Sequence, residues 1–290
     1  MIGGMVGNNS SGTTSIQYGV TRDKIVSLKT ILSDGSEAEF GRISADEFHK
    51  KQTNNSLEAS LYKGIFKELS NKEIAKEIVE NFPKPEIHRR NTGYAVDELL
   101  KADLFGGQLP YFNMAELLCG SEGTLAFTTE ITVQLDDLPP PLSAMVVTHY
   151  KSLEDCLMDV VPVMEHPLQL CEMMDKVILD CTKNNRAQMA NRFFVAGDPE
   201  ALLMLQVSAH TEEELKQSVA SLVNTIEKSG LSYANPILVG DQIAKAIELR
   251  KAGLGLLGNI VGDMKAVACI EDTAVALPDL KEFIAEFSLI

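Results

Sequence analysis

The stretch Gly3-Gly4-Met5-Val6-Gly7-Asn8-Asn9-Ser10-Ser11-Gly12 opens the chain before any periodic pattern of apolar residues begins. Glycines at 3, 4, 7 and 12 remove side-chain bulk, and the polar residues between them bring short hydrogen-bonding groups. Such a segment reads as a loop whose backbone N–H groups can approach a phosphate or a flat cofactor closely. Taken alone, it reads first as an Asn/Ser/Gly surface turn.

Working outward, Tyr18-Gly19 precedes a β-rich run from Lys24 to Leu32, an Asp34-Gly35 turn and a second short run from Glu37 to Phe40, which together predict a hairpin. Helical spacing of Leu, Ile and Phe covers Ser56 to Glu68 and Lys72 to Asn81. Further on, Gly120-Ser121-Glu122-Gly123-Thr124-Leu125-Ala126 reads by itself as a tight turn into a strand, with alternation from Thr124 to Leu135. The first domain, residues 1–138, is therefore expected to be α+β. It ends at Leu138-Pro139-Pro140-Pro141, because three prolines forbid continued sheet pairing.

Residues 142–290 form the second expected domain. Leu142 to His149 predicts a strand, and Leu153 to Met164 a helix with Ser152 as N-cap. Leu168 to Cys181 reads as a second helical stretch, Leu202 to Ala209 as a strand, and Thr211 to Glu227 as a helix opened by a capping box. A helix over Asp241 to Leu257, a strand over Ala266 to Glu271 and a helix over Pro278 to Phe287 complete the pattern. Repeated strand–helix units predict an incomplete ferredoxin-like antiparallel sheet with helices on one face.

A formal net charge of −15 over 290 residues argues against sequence-independent nucleic-acid binding, which needs a basic surface. An anionic substrate would need a local basic patch. No apolar run approaches the roughly 20 residues of a membrane helix, and no basic n-region followed by an apolar h-region stands at the start of the sequence. The five cysteines include no C-x-x-C pair and read as reduced structural thiols, with neither a disulfide framework nor an iron–sulfur site expected. The five histidines form neither a His-x-His nor an i,i+4 pair, so no metal site is expected.

In order and spacing, the segment Gly3 to Gly41, then Asn91-Thr92-Gly93-Tyr94, then Gly120 to Leu125, resembles the FAD-linked oxidases of the vanillyl-alcohol oxidase and para-cresol methylhydroxylase type. The likeness is to the D-lactate dehydrogenases and the glycolate oxidase flavoprotein subunit. Leu249-Arg250-Lys251-Ala252-Gly253 and Ile270-Glu271-Asp272-Thr273-Ala274-Val275 resemble that family's substrate-domain signatures. The resemblance implies a PCMH-type FAD-binding domain, represented by its second half, followed by a truncated substrate or cap domain.

The resemblance also implies site residues. Gly3, Gly4, Gly7 and Gly12 would lie along the diphosphate and flavin, with Asn8, Asn9, Ser10 and Ser11 donating hydrogen bonds. Tyr18 and Gly19 belong to the same half, and Glu122, Gly123 and Ala126 to the segment beside the adenosine. Arg250 occupies the place of an arginine offered to a substrate carboxylate; read as a residue alone, it is a solvated cation pairing with Glu248 or a neighbouring acid. Arg89, Arg90 and Tyr94 stand either near the flavin or in a loop with two surface cations. Glu271 and Asp272 read as a structural acidic pair.

No catalytic base is assigned, because the family's His-rich motif would lie beyond Ile290 and its first diphosphate loop before Met1. The expectation is a middle piece, inactive alone, that holds noncovalent FAD weakly or not at all. The reaction implied is hydride transfer from a small-molecule 2-hydroxy acid to flavin. A separate acceptor, a quinone, cytochrome or iron–sulfur module, would reoxidise the flavin, and the protein would be cytoplasmic or peripheral to the inner membrane. Two alternatives remain: a flavoenzyme of the same fold acting on an alditol, a lactone or a hydroxylated aromatic, and a cofactor-free interaction or scaffold segment.

Overall fold

The computed structural model describes residues 1–90, 93–183, 185–257, 262–263 and 273–290. The chain divides into two compact units, Met1–Asp136 and Asp137–Ile290.

The first unit begins with the short helices α1 (Ile2–Asn8) and α2 (Ser15–Tyr18), followed by strands β1 (Ile25–Ile31) and β2 (Glu37–Ile43). Gly35, at φ 83°, makes the tight turn between the strands possible. Helices α3 (Ala45–Lys51), α4 (Leu57–Leu69), α5 (Lys72–Asn81) and α6 (Val96–Leu99) follow, then β3 (Phe112–Asn113), α7 (Ala115–Leu118) and β4 (Phe127–Val133). Helices α3, α4 and α5 each start where a side chain satisfies an orphan N–H: Ser44 accepts from Glu47, Ser56 from Ala59, and Asn71 from Glu73.

The four strands pair antiparallel in the order β3-β2-β1-β4. Leu28 of β1 sits opposite Phe40 of β2, and both are buried. Phe48 of α3 anchors the aromatic centre of this core, edge-on to Phe112 at 4.8 Å and to Tyr62 at 5.0 Å between ring centroids. Edge-to-face geometry is the favoured arrangement of such rings.

The opening segment departs from the expected loop. Ile2–Asn8 is helical despite its three glycines, because Val6 is buried in the core and Asn9 ends the turn in the left-handed conformation at φ 54°. Tertiary packing overrides the poor helix propensity of glycine.

The second unit contains β5 (Leu142–Tyr150), α8 (Leu153–Val163), β6 (Leu170–Asp175), α9 (Lys176–Lys183), β7 (Ala201–Ala209), α10 (Glu212–Ser229), β8 (Ile237–Val239), α11 (Asp241–Leu257) and α12 (Leu280–Phe287). Ser152 caps α8, and Thr211 with Glu214 forms the capping box of α10. The sheet order is β6-β7-β5-β8, antiparallel throughout, which is the order of a ferredoxin-like β-α-β-β-α-β fold.

Two expectations about this unit need correction. Leu168 to Cys181 is not one helix: Leu170–Asp175 is an edge strand on β7, and α9 begins only after it. Asp175 makes the break, its Oδ1 accepting the Ile178 N–H at 3.0 Å. Nor do the helices cover one face only. Ala144, Val146, Leu203 and Leu205 pack with residues of α8 and α10, whereas Met145, Val147, Leu202 and Met204 pack with residues of α9 and α11. Four consecutive apolar residues, Ala144 to Val147, require cover on both sides of the sheet. The strand expected over Ala266 to Glu271 lies outside the described residues. Among those described, no helix is long and apolar enough to cross a membrane.

Candidate cofactor and substrate sites

The two glycine-rich segments, more than a hundred residues apart in sequence, meet in the first unit. The Gly120 N–H donates to the Val6 carbonyl and the Glu122 N–H to the Gly7 carbonyl, both at 2.9 Å. Asn8 Nδ2 donates to Glu122 Oε1 at 3.0 Å, and Ser10 Oγ to Asn8 Oδ1 at 3.1 Å. Two carbonyls from the end of α1 thus find donors in the distant turn, which supplies what a helix C-terminus lacks. Glu122 takes φ 53° and Gly123 φ 72°, folding the turn back on itself. Tyr94 reaches the same turn through a 2.6 Å hydrogen bond between its hydroxyl and Thr124 Oγ1.

Beneath this junction lie two buried polar residues. Asn9 Oδ1 accepts the Arg22 N–H at 2.8 Å, while the Arg22 guanidinium donates from Nε to the Glu116 carbonyl at 2.9 Å and from Nη2 to the Cys119 carbonyl at 2.7 Å. Arg22 is only 7% exposed. The Glu116 carboxyl is pushed up to about 7, first by burial and then by the nearby Glu98 charge, against the opposing pull of Lys101, Arg42 and Arg22.

The outer side of the junction suits a close-lying anionic and planar group. Among the described residues, nothing accepts from the N–H groups of Ser11, Gly12 and Thr13. A Cβ built on Gly3, Gly4, Gly12 or Gly123 would enter empty space, which leaves the backbone there open to an approaching molecule. Met5, Ile16, Leu125 and Phe127 are exposed apolar side chains of the same segments. Open glycine backbone and free amides fit the needs of a dinucleotide diphosphate.

Other expected site residues are placed differently. Asn9 is buried and engaged with Arg22 rather than presented outward. Gly19, at φ 76°, serves the turn in which Asp23 Oδ2 accepts the Val20 N–H at 2.9 Å. Ala126 packs against the apolar core just ahead of β4. Arg90 is not a surface cation, since it pairs with Asp97 and, at 2.6 Å, with Glu98. Asn91, Thr92, Glu271 and Asp272 lie outside the described residues.

In the second unit, α11 buries Leu249 against the sheet and turns Arg250 toward β6. There Arg250 Nη2 meets Glu172 Oε2 at 2.6 Å, so the arginine's partner is Glu172 and not Glu248. Glu172 is nearly buried at 14% side-chain exposure, whereas Arg250 keeps 39%. One edge of the guanidinium is held and part of it remains accessible, an arrangement suited to receiving a second carboxylate.

Residues 139–289, a little over half the chain, match the family described as FAD linked oxidases, C-terminal domain. This chain belongs to the FAD-linked oxidases. It is 27% identical to a D-2-hydroxyglutarate dehydrogenase of Pseudomonas putida over 299 residues, covering 99% of the chain and 28% of that protein. A D-lactate dehydrogenase of Anaerostipes hadrus is 22% identical over 290 residues, covering 99% of the chain and 46% of that protein. Of solved structures, an alkyldihydroxyacetonephosphate synthase superposes with a TM-score of 0.50 at 13% identity, over 89% of this chain and 36% of that one, which is a likeness of fold alone. The chain thus spans between about a quarter and just under half of the length of these relatives.

Within this FAD-linked oxidase, Arg22 is the site residue least visible in the sequence. Its neighbours Thr21, Asp23 and Lys24 are polar, and an arginine among them reads as a solvated cation. Glu116 was missed for a related reason, since its burial depends on chain segments far away in sequence.

Proposed function

We propose that this chain forms the cofactor-facing and substrate-facing parts of an FAD-dependent dehydrogenase of D-2-hydroxy acids. The observation that carries the reading is the junction of Val6-Gly7 with Gly120 to Glu122 beside three amide N–H groups for which the described residues provide no acceptor. FAD, when bound, supplies a hydride acceptor.

The chain's own groups have defined tasks in this reading. The N–H groups of Ser11, Gly12 and Thr13 donate to the diphosphate, and Gly3, Gly4 and Gly12 permit close approach, while Gly7 packs against the Glu122 backbone. Glu122 and Gly123 border the adenosine side, and Tyr94 steadies their turn through Thr124. Arg250 binds the substrate carboxylate with the part of its guanidinium that Glu172 leaves accessible. The flavin is held noncovalently, and a separate quinone, cytochrome or iron–sulfur module takes the electrons. Residues 1–138 serve the cofactor and 142–290 the substrate. Among substrates, the names of the relatives support D-lactate and D-2-hydroxyglutarate ahead of glycolate.

The test is an FAD titration followed by absorbance, on the purified chain and on the full-length product of its gene, with D-lactate, D-2-hydroxyglutarate and glycolate then added separately. A flavin spectrum bleached by a D-2-hydroxy acid is the expected result. Absence of FAD binding in both proteins would overturn the flavoenzyme reading.

A further inference from the structure

The junction of the two glycine-rich segments depends on a buried cation that meets carbonyl groups, not a carboxylate. Arg22 leaves the backbone just before β1, receives its backbone anchor from Asn9, and spreads its guanidinium over the carbonyls of Glu116 and Cys119. Those carbonyls flank the end of α7, immediately before Gly120. Asn9 follows the end of α1 directly, in the left-handed conformation that closes it. One residue therefore spans both edges of the junction, its backbone N–H on the Asn9 side and its guanidinium on the Glu116 and Cys119 side, at positions where the chain changes direction.

The fit around Arg22 is close. A Cβ on Gly120 would lie 2.6 Å from Arg22 Nη2 and 3.3 Å from the Asn9 Cβ. The fork shape of a guanidinium allows two carbonyls to be held at once in fixed relative position, which a lysine ammonium on a flexible stem does not reproduce. Polar groups buried in this way are fully committed, because losing one donor leaves carbonyls without a partner in a site that water reaches poorly.

We infer that Arg22 is a positioning residue that locks the Gly120–Gly123 turn onto the Asn9 cap in the arrangement that receives the FAD diphosphate. The inference rests on the FAD reading of the junction. Arg22 does not touch the cofactor; it fixes the two backbone segments that do.

The experiment compares the full-length wild-type protein with Arg22→Lys, Asn9→Gly and, as a control, Leu69→Ala. Leu69 is buried in the same core but belongs to the end of α4, away from the junction. Asn9→Gly keeps the left-handed backbone while deleting the amide that accepts from Arg22, and it serves if Arg22→Lys does not fold. Two quantities are read: the FAD dissociation constant from quenching of flavin fluorescence, and hydrogen–deuterium exchange of peptides spanning 3–12 and 116–124.

Arg22→Lys is expected to weaken FAD binding about tenfold or more, with both peptides losing protection together. Asn9→Gly should act in the same direction, and Leu69→Ala, at a similar loss of Tm, should leave FAD affinity within about twofold. If Arg22→Lys leaves FAD affinity unchanged, or if Leu69→Ala weakens it as much, Arg22 is structural only and the inference falls. If the wild type binds no FAD, the flavoenzyme reading fails separately. In that case, exchange that rises in only one of the two peptides also overturns the proposed lock.

Discussion

Arg22 and Gly120 exclude one another's alternatives: Nη2 of the arginine lies 2.6 Å from the point where any side chain on residue 120 would begin. Gly120 also has φ 90°, a conformation that L residues avoid. Gly120→Ala is therefore expected to destabilise the first unit by about 1–3 kcal/mol from backbone strain, with displacement of Arg22 adding to it. Urea unfolding monitored by circular dichroism measures the loss, and an unchanged midpoint would show that the turn relaxes without cost.

Glu116 should make stability depend on pH in an unusual direction for a carboxylate. Burial raises its value from 4.5 to about 7 in the folded protein, so the folded state holds this proton over a range in which the unfolded state has released it. The stabilisation is present below the unfolded value and is lost as pH rises through that window, by at most about 3 kcal/mol. Glu116→Gln should remove this slope. Unfolding free energies of both proteins at about pH 5 and about pH 8 decide it, and parallel curves would refute the assignment.

The Tyr150 hydroxyl donates to Asp159 Oδ2 at 2.9 Å within the core of the second unit, and burial holds the Asp159 carboxyl above the ordinary carboxylate range. Tyr150→Phe deletes a donor without changing the ring, so the buried carboxyl loses a partner. A loss of about 1–3 kcal/mol in stability is expected. Differential scanning calorimetry provides the measurement, and a rise in Tm would contradict the prediction.

Arg250→Lys tests the substrate end. Lysine keeps the charge but cannot hold Glu172 and a second carboxylate in one plane, so affinity for a D-2-hydroxy acid should fall by about 10- to 100-fold. Arg250 keeps 39% exposure and lysine retains the charge opposite Glu172, so stability should change by less than about 1 kcal/mol. A KM that stays constant in steady-state assays would remove Arg250 from the carboxylate site.

The sequence carried the local architecture well because its signals are local. Asn71, Ser152 and Thr211 mark helix starts through side-chain oxygens that act within three residues, and Asp34-Gly35 marks its turn through backbone freedom. Leu168 to Cys181 hides its boundary in the sequence, because a six-residue edge strand runs straight into α9 without a glycine or proline between them. Asp175 was the available signal, as an N-cap in the middle of an apolar stretch. The run Ala144 to Val147 likewise announced a strand buried on both faces, although helices were expected on only one.

By itself the sequence determined the two α+β units, the ferredoxin-like strand pattern and the glycine-rich segments that resemble FAD-linked oxidases, since each rests on residue order within a short window. Only the tertiary structure decided that Gly7 and Glu122 share a hydrogen bond, that Arg22 is buried against two carbonyls, and that Arg250 pairs with Glu172. The physical reason is that hydrogen bonds between distant segments, and the burial of a charge, depend on which surfaces the folded chain brings together. No spacing along the chain encodes that directly.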